Sequence, residues 1–195
     1  MSVPPPYDPE SVRLASAAFA DRRGEINERS RAQHTIIQIA VTAVGTVLGF
    51  VLGAKADPRV LLVIPLISTP LGMLYLDHGL NIANIGEFIR TRIVPVLEVV
   101  PGASDVLGYE AFMRSFERRR VLRVLLFGAP LLLLFAGFPA GALFYLCWAG
   151  LVNTWPVKVL WAVGALLVLW YLVFWWTFMF LGFWQSNPGG TARRN

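Results

Sequence analysis

Residues 74–98 read LYLDHGLNIANIGEFIRTRIVPVLE. The stretch starts as the tail of an apolar run and ends among arginines, so its reading decides where the chain leaves the membrane. At about 3.6 residues per turn, Ile82, Ile85, Ile89, Ile93 and Val96 form one narrow stripe, while Asn84, Glu87, Thr91 and Glu98 fall opposite. Arg90 and Arg92 stand on the two borders of the stripe, where a long stem can cover apolar surface and the guanidinium still reach water. This is the pattern of a helix lying in a membrane interface in contact with lipid. It suits equally well a cytosolic helix packed on protein. Gly79 offers a joint between the preceding span and this helix, and Pro95 is placed to disrupt its end.

The rest of the composition agrees with a membrane setting. Of 195 residues, 56% are hydrophobic and only 15% charged, and mean hydropathy is +0.59. A soluble domain carries about 25% charged residues. The charges also cluster, leaving four apolar stretches at residues 35–54, 60–76, 124–147 and 159–184. At about 1.5 Å per residue, some 20 residues cross a hydrocarbon core of about 30 Å. The expected fold is an all-α membrane protein with four transmembrane helices and amphipathic cytoplasmic helices. Its parts are a cytoplasmic tail and amphipathic helix (1–33), a transmembrane hairpin (34–77), a cytoplasmic amphipathic connector (78–120), a second hairpin (121–186) and a short cytoplasmic tail (187–195).

Before the first span, Asp8-Pro9-Glu10-Ser11 has the chemistry of a helix start, with an acidic cap and proline at the first helical position. Val12, Ala15, Phe19 and Ile26 then share a face, with Glu25 and Glu28 away from it. No secretory signal is expected in this polar start. The first span carries Gly45, Gly49 and Gly53, one glycine every fourth residue. Such a face lets another backbone approach closely, either a neighbouring span of the same chain or a second copy at an oligomer seam. Gln38, Thr42 and Thr46 add a mild polar stripe to the same helix, suited to sealing helix contacts or to lining a narrow oligomeric pore.

Pro65 and Pro70 interrupt the second span and Pro130 and Pro139 the third. A proline inside a helix removes a backbone hydrogen bond, and in lipid the freed carbonyl needs another donor. Pro65 and Pro70 are therefore expected to face protein or a wet crevice, with Ser68 and Thr69 assisting. The fourth span holds Trp161, Trp170, Trp175, Trp176 and Trp184, those near the ends suiting interfacial belts. The single cysteine, Cys147, reads as a small packing residue.

Charge gives the orientation. Of 17 basic residues, 14 lie in the N-terminal segment, the central connector and the C-terminal tail, and only Lys55, Arg59 and Lys158 lie between paired spans. The positive-inside rule places both termini and the connector in the cytoplasm. Arg118, Arg119 and Arg120 abut the third span, where they anchor topology and can bind anionic headgroups. With net charge +5 explained by lipid, nucleic acid is not expected as a partner.

Catalysis needs convergent groups, and none are legible. The only histidines are His34 at the start of the first span and His78 beside Asp77 at the end of the second. The hairpin brings all three to one level, as a pH-sensitive cluster or as polar marks of helix ends. No nucleotide loop or zinc spacing occurs, so no cofactor or metal is expected. The spans hold no charged residue at mid-depth, unlike proton-coupled transporters and pumps.

The order of parts, a charged helical N-terminal segment, a glycine-bearing span, VLLVIPLISTPLGMLYL and then DHGLNIANIGEFIRTRIVPVLE, resembles a group of small uncharacterised bacterial integral membrane proteins. The resemblance covers residues 7–116 and implies a bacterial plasma membrane location, but no activity or site residue. The expected function is that of a non-enzymatic membrane protein acting by assembly, as a homo-oligomer and as a docking platform for headgroups or an unknown cytoplasmic protein. The alternative is an oligomeric ion channel gated through its cytoplasmic helices. A lipid-modifying enzyme is disfavoured by the lack of an acid, base or metal set.

Overall fold

The computed structural model describes residues 8–53, 56–98 and 128–184, with side chains described as far as 177. Among these residues the structure is helical apart from short turns, with no strand. Helix α1 runs Pro9–Gly53 without interruption. A 3-10 turn, Pro58–Leu62, leads into α2, Val63–Phe88; a π-helical turn, Ile89–Ile93, joins α2 to the short α3, Val94–Leu97. The third span is built from α4 (Ala129–Leu132), a π-helical segment (Leu133–Gly137) and α5 (Phe138–Trp148). Helix α6 spans Trp155–Trp184. Four helical segments are long and apolar enough to cross a membrane, as the uncharged runs predict.

Local chemistry explains the starts and stops. The Asp8 carboxylate accepts from the backbone N–H groups of Glu10 and Ser11 at 3.1 and 3.3 Å and from the Ser11 hydroxyl, capping α1 where the sequence places its start. The Ser11 hydroxyl, with the Glu10 amide, holds the Asp8 carboxyl below its ordinary range. Asp57 caps the 3-10 turn through the Arg59 N–H at 2.9 Å, with Pro58 next to it. After α5, Gly150 takes φ +67°, so that its N–H reaches the Cys147 carbonyl (3.1 Å) and the Leu151 N–H the Leu146 carbonyl (3.0 Å). This paired closure satisfies carbonyls that the helix end would leave open.

Contacts divide the chain into two compact units. One takes the described residues of Met1–Ala32 and His78–Phe127; the other takes those of Gln33–Asp77 and Gly128–Asn195. In the first unit, Ile89, Ile93 and Val94 are buried against Ala15, Ala18, Phe19, Ile26, Ile85 and Leu97. Arg22 and Arg29 both grip Glu25 at 2.8 Å, and this pair, Arg29 foremost, holds the Glu25 carboxyl below its ordinary range.

The second unit has two adjoining apolar clusters. Val44, Leu61, Leu62, Ile64, Ala142, Leu143, Leu146 and Val168 form one, next to the turns. Ile36, Ala40, Leu76, Phe135, Ala136 and Tyr171 form the other. Lipid is as apolar as leucine, so these clusters hold together by packing and interhelical hydrogen bonds rather than by escape from water. Arg59 donates to Asn153 Oδ1 at 3.3 Å, tying the turn after the first span to the turn after the third.

Several expectations are corrected here. Helix α2 stays helical through Gly79, and in the chain the boundary between the two compact units falls beside it, between Asp77 and His78. Pro65 is buried, as expected, but it lies in the first turn of α2, where a proline costs no helical bond. Pro70 is inside the helix and points outward. Val96 leaves the isoleucine stripe and is 38% exposed, whereas Val94 is 5%. The wider π turn at Ile89–Ile93 shifts the phase of the residues that follow it. Cys147 is exposed rather than packed, since α5 buries Pro139, Ala142, Leu143 and Leu146 on its other side.

Candidate functional site at the centre of the spans

The second unit carries its polar chemistry on one face of α2. Pro65, Ser68, Thr69, Gly72 and Leu76 are all buried, at the three- and four-residue steps that define a helix face. Ser68 and Thr69 are fully buried polar side chains. The Ser68 hydroxyl donates to the Leu134 carbonyl at 2.9 Å, and the primary structure explains why that carbonyl is free to accept. In a regular helix its donor would be the N–H of Phe138, which here goes to the Leu133 carbonyl. The next N–H in the π pattern would belong to residue 139, a proline, which has none. Ser68 on the second span thus supplies the donor that Pro139 removes from the third.

Two glycines set the approach of the helices. A Cβ at Gly72 would stand 2.7 Å from Phe135 Cβ and 2.8 Å from Tyr171 Cε2. A Cβ at Gly164 would meet Pro65 Cγ at 3.0 Å and Leu143 Cδ2 at 3.3 Å. The Phe135 ring sits between Tyr75 and Tyr171, with centroids 6.0 and 6.1 Å away. Further side-chain bonds to backbone cross the spans: Trp161 Nε1 donates to the Leu143 carbonyl (3.0 Å) and Gln33 Nε2 to the Tyr75 carbonyl (3.0 Å). Thr69 Oγ1 and Tyr171 Oη are buried without a hydrogen-bond partner among the described residues.

The residues singled out from sequence fall elsewhere. Gly45, Gly49 and Gly53 are exposed, and a Cβ on any of them would meet nothing within 4 Å. Gln38, Thr42 and Thr46 are exposed too, and at helical spacing they share an arc with the three glycines. The first span is lightly covered: 17% of its most apolar window is buried, against 44% for the second. A neighbouring span of the same chain does not occupy the glycine face among the described residues.

Ile82 and Ile85 are half-buried, and Ile89 is 2% exposed against protein, which removes it from lipid contact. Arg90 and Arg92 are exposed, and Arg90 holds Glu87 at 2.6 Å. Arg118, Arg119 and Arg120 lie outside the described residues. His34 and Asp77 are exposed and belong to the second unit; His78, in the first, has its Nδ1 buried. Among the described residues no three His, Cys, Asp or Glu side chains gather as a metal group. In the first unit a groove of about 270 Å³ is lined by Arg22, Asn84, Ile85 and Phe88.

Sequence reasoning missed Gly72, Gly164 and Tyr171. Neither glycine belongs to a repeat, and Tyr171 lies in an aromatic-rich run that hides it. The Ser68–Leu134 bond left one signal, since Pro139 announces a carbonyl in need of a donor on the turn before it.

These features define a multi-pass α-helical membrane protein whose spans meet through close glycine contacts and side-chain bonds to backbone. Comparison with known proteins finds no matching family model, no matching curated protein and no matching solved structure.

Proposed function

We propose that this chain is a non-enzymatic membrane protein that acts by self-assembly, with the outward face of α1 as the seam between copies. The observation that carries the reading is the open stripe of Gly45, Gly49 and Gly53 beside Gln38, Thr42 and Thr46. Small residues on a lipid-facing stripe give nothing to lipid but allow a second helix to come close, and neighbouring amide and hydroxyl groups add interhelical hydrogen bonds. The arginine distribution favours both termini on the cytoplasmic side, and the resemblance of residues 7–116 favours a bacterial plasma membrane. On that side the unit built on Ile89 and Ile93, with its groove beside Arg22 and exposed Arg92, serves as a platform for anionic headgroups or a cytoplasmic protein.

Native mass measurement of the full chain in lipid tests the seam. Assemblies are expected for the unaltered chain and fall to monomer in Gly49→Ile, because a branched side chain holds the partner backbone away. Monomer alone from the unaltered chain, or assembly unchanged in Gly49→Ile, overturns the seam.

A second reading follows from the polar members of the same stripe. Gln38, Thr42 and Thr46, exposed on one helix, would line a narrow pore if several copies turned this face to a common axis. Planar-bilayer recording then shows conductance that falls in Gln38→Leu. A silent bilayer across lipid compositions removes the channel reading and leaves the assembly reading standing.

A further inference from the structure

At its turn end the second unit changes its surface chemistry. Along α6, Val159, Val163 and Leu166 are exposed at three- and four-residue steps, and the stripe leads up to Trp155, which is 77% exposed. Along α5, exposed Phe144 leads in the same way to Trp148, also 77% exposed. Charge enters near the same level. Arg59 is held by Asn153 at 3.3 Å and by Asp57 at 3.7 Å, and exposed Lys158 adds a second cation in the first turn of α6. All these residues belong to one compact unit.

An indole joins an apolar body to an N–H donor, which suits it to the level where hydrocarbon meets headgroups. Arg59 and Lys158 stand against the single carboxylate of Asp57 here, so the charge at this end complements phosphate. A water-soluble partner is a poorer fit. The turn between α5 and α6 closes on itself, with the N–H groups of Gly150 and Leu151 given back to α5 carbonyls, and it raises no loop to grip. The aliphatic stripe beneath Trp155 would be left bare by such a partner, whereas lipid covers it. Helical side chains also lean toward the N-terminus of their own helix. At the start of α6 that direction leads to the turn, and at the end of α5 it leads back along the span. Trp155 therefore covers the turn, and Trp148 covers apolar surface closer to the middle of the spans.

We propose that the turn end of the second unit docks into the headgroup layer of a phospholipid bilayer, with the Trp155 indole among the phosphates and the Trp148 indole beneath them. This contact sets the depth at which the spans ride, whether or not copies of the chain assemble.

The test uses the full chain, made with fluorinated tryptophan, in nanodiscs of phosphatidylcholine and phosphatidylglycerol. Trp148→Phe and Trp155→Phe assign the two fluorine resonances, and both side chains are exposed enough for the variants to fold. A nitroxide on the lipid headgroup is expected to broaden Trp155 severalfold more than Trp148, and a nitroxide high on the acyl chain is expected to reverse the order. A water-soluble gadolinium chelate is expected to broaden both less than either lipid label does. Cys147, the sole cysteine and an exposed one beside Trp148, gives a second reading. A nitroxide attached to it is expected to collide more with oxygen, which dissolves in the bilayer, than with a nickel chelate confined to water. Four results overturn the proposal. They are indoles that answer to the gadolinium chelate and not to lipid labels (open to a soluble partner), indoles that answer to neither (covered by another chain), two indoles that respond alike to both lipid labels, and a Cys147 label that favours nickel.

Discussion

Replacing Ser68 with alanine lowers the unfolding temperature of the full chain, and replacing Pro139 with alanine removes most of that loss. The expectation rests on a count of donors. The Leu134 carbonyl lies in the π segment of the third span; the N–H of Phe138 is given to Leu133, and residue 139 has none to give. The Ser68 hydroxyl at 2.9 Å fills the role. A typical interhelical hydrogen bond in a membrane protein contributes about 0.6 kcal/mol, and at most about 1.7. Leaving a buried acceptor unsatisfied costs about 1–3 kcal/mol. With no alternative donor on its own helix, Leu134 belongs with the second case, so the loss in Ser68→Ala is expected at about 1–2 kcal/mol. In Pro139→Ala the third span regains an N–H, and the same serine change should cost only a few tenths. Thermal unfolding of the four chains in one detergent measures the coupling. An equal loss in both backgrounds would mean that Ser68 does not substitute for the donor that proline removes.

Glycine substitutions separate the two kinds of glycine in this protein by their effect on the folded monomer. Gly72→Ala should destabilise by about 1–3 kcal/mol, the usual cost of overpacking a filled interior. The atoms in its way are the Cβ and Cγ of Phe135 and Cε2 of Tyr171, at 2.7 and 2.8 Å. They belong to buried rings that touch one another, not to the far ends of flexible chains, so the helices themselves must part. Gly49→Ala adds its methyl to open space, and on a soluble helix the change is favourable by about 0.8–1.0 kcal/mol. In dilute detergent, where copies are separated, Gly49→Ala should leave the monomer's unfolding temperature unchanged or raised, and Gly72→Ala should lower it. Equal losses at the two positions would refute the division between a filled glycine contact and an open one.

The legible part of this protein lies in its periodicities and end signals. Uncharged runs announced four spans, and four helices of the required length and hydropathy are present. Asp8 and Pro9 announced where the first helix begins, and capping bonds are found there; that Asp57 caps a 3-10 turn leading into α2 was not read from the sequence. The face carrying Ile85, Ile89 and Ile93 was legible as apolar. Its continuation to Val96 was not, because a π turn changes the pitch without any local residue that demands it. The site was less readable. The regular glycines of the first span drew attention by their repeat, yet a Cβ on any of them would meet nothing within 4 Å, whereas Gly72 and Gly164 lie against another helix. A repeat reports a smooth face, but contact depends on which residue of another helix arrives there.

By itself the sequence determined the class, the number of spans and the start of the first helix, because each rests on interactions between near neighbours along the chain or between a residue and its solvent. Tertiary structure alone decided that Ser68 answers Leu134, that Gly72 receives Tyr171 and that the face of Gly45, Gly49 and Gly53 is left open among the described residues. The physical reason is that lipid offers apolar side chains the same environment as a neighbouring helix. Hydrophobicity along a span therefore says that it is in the membrane but not which side meets protein. That choice is made by the fit of small residues and the pairing of backbone carbonyls across helices, as between Ser68 and Leu134, whose partners stand 66 residues apart in the chain.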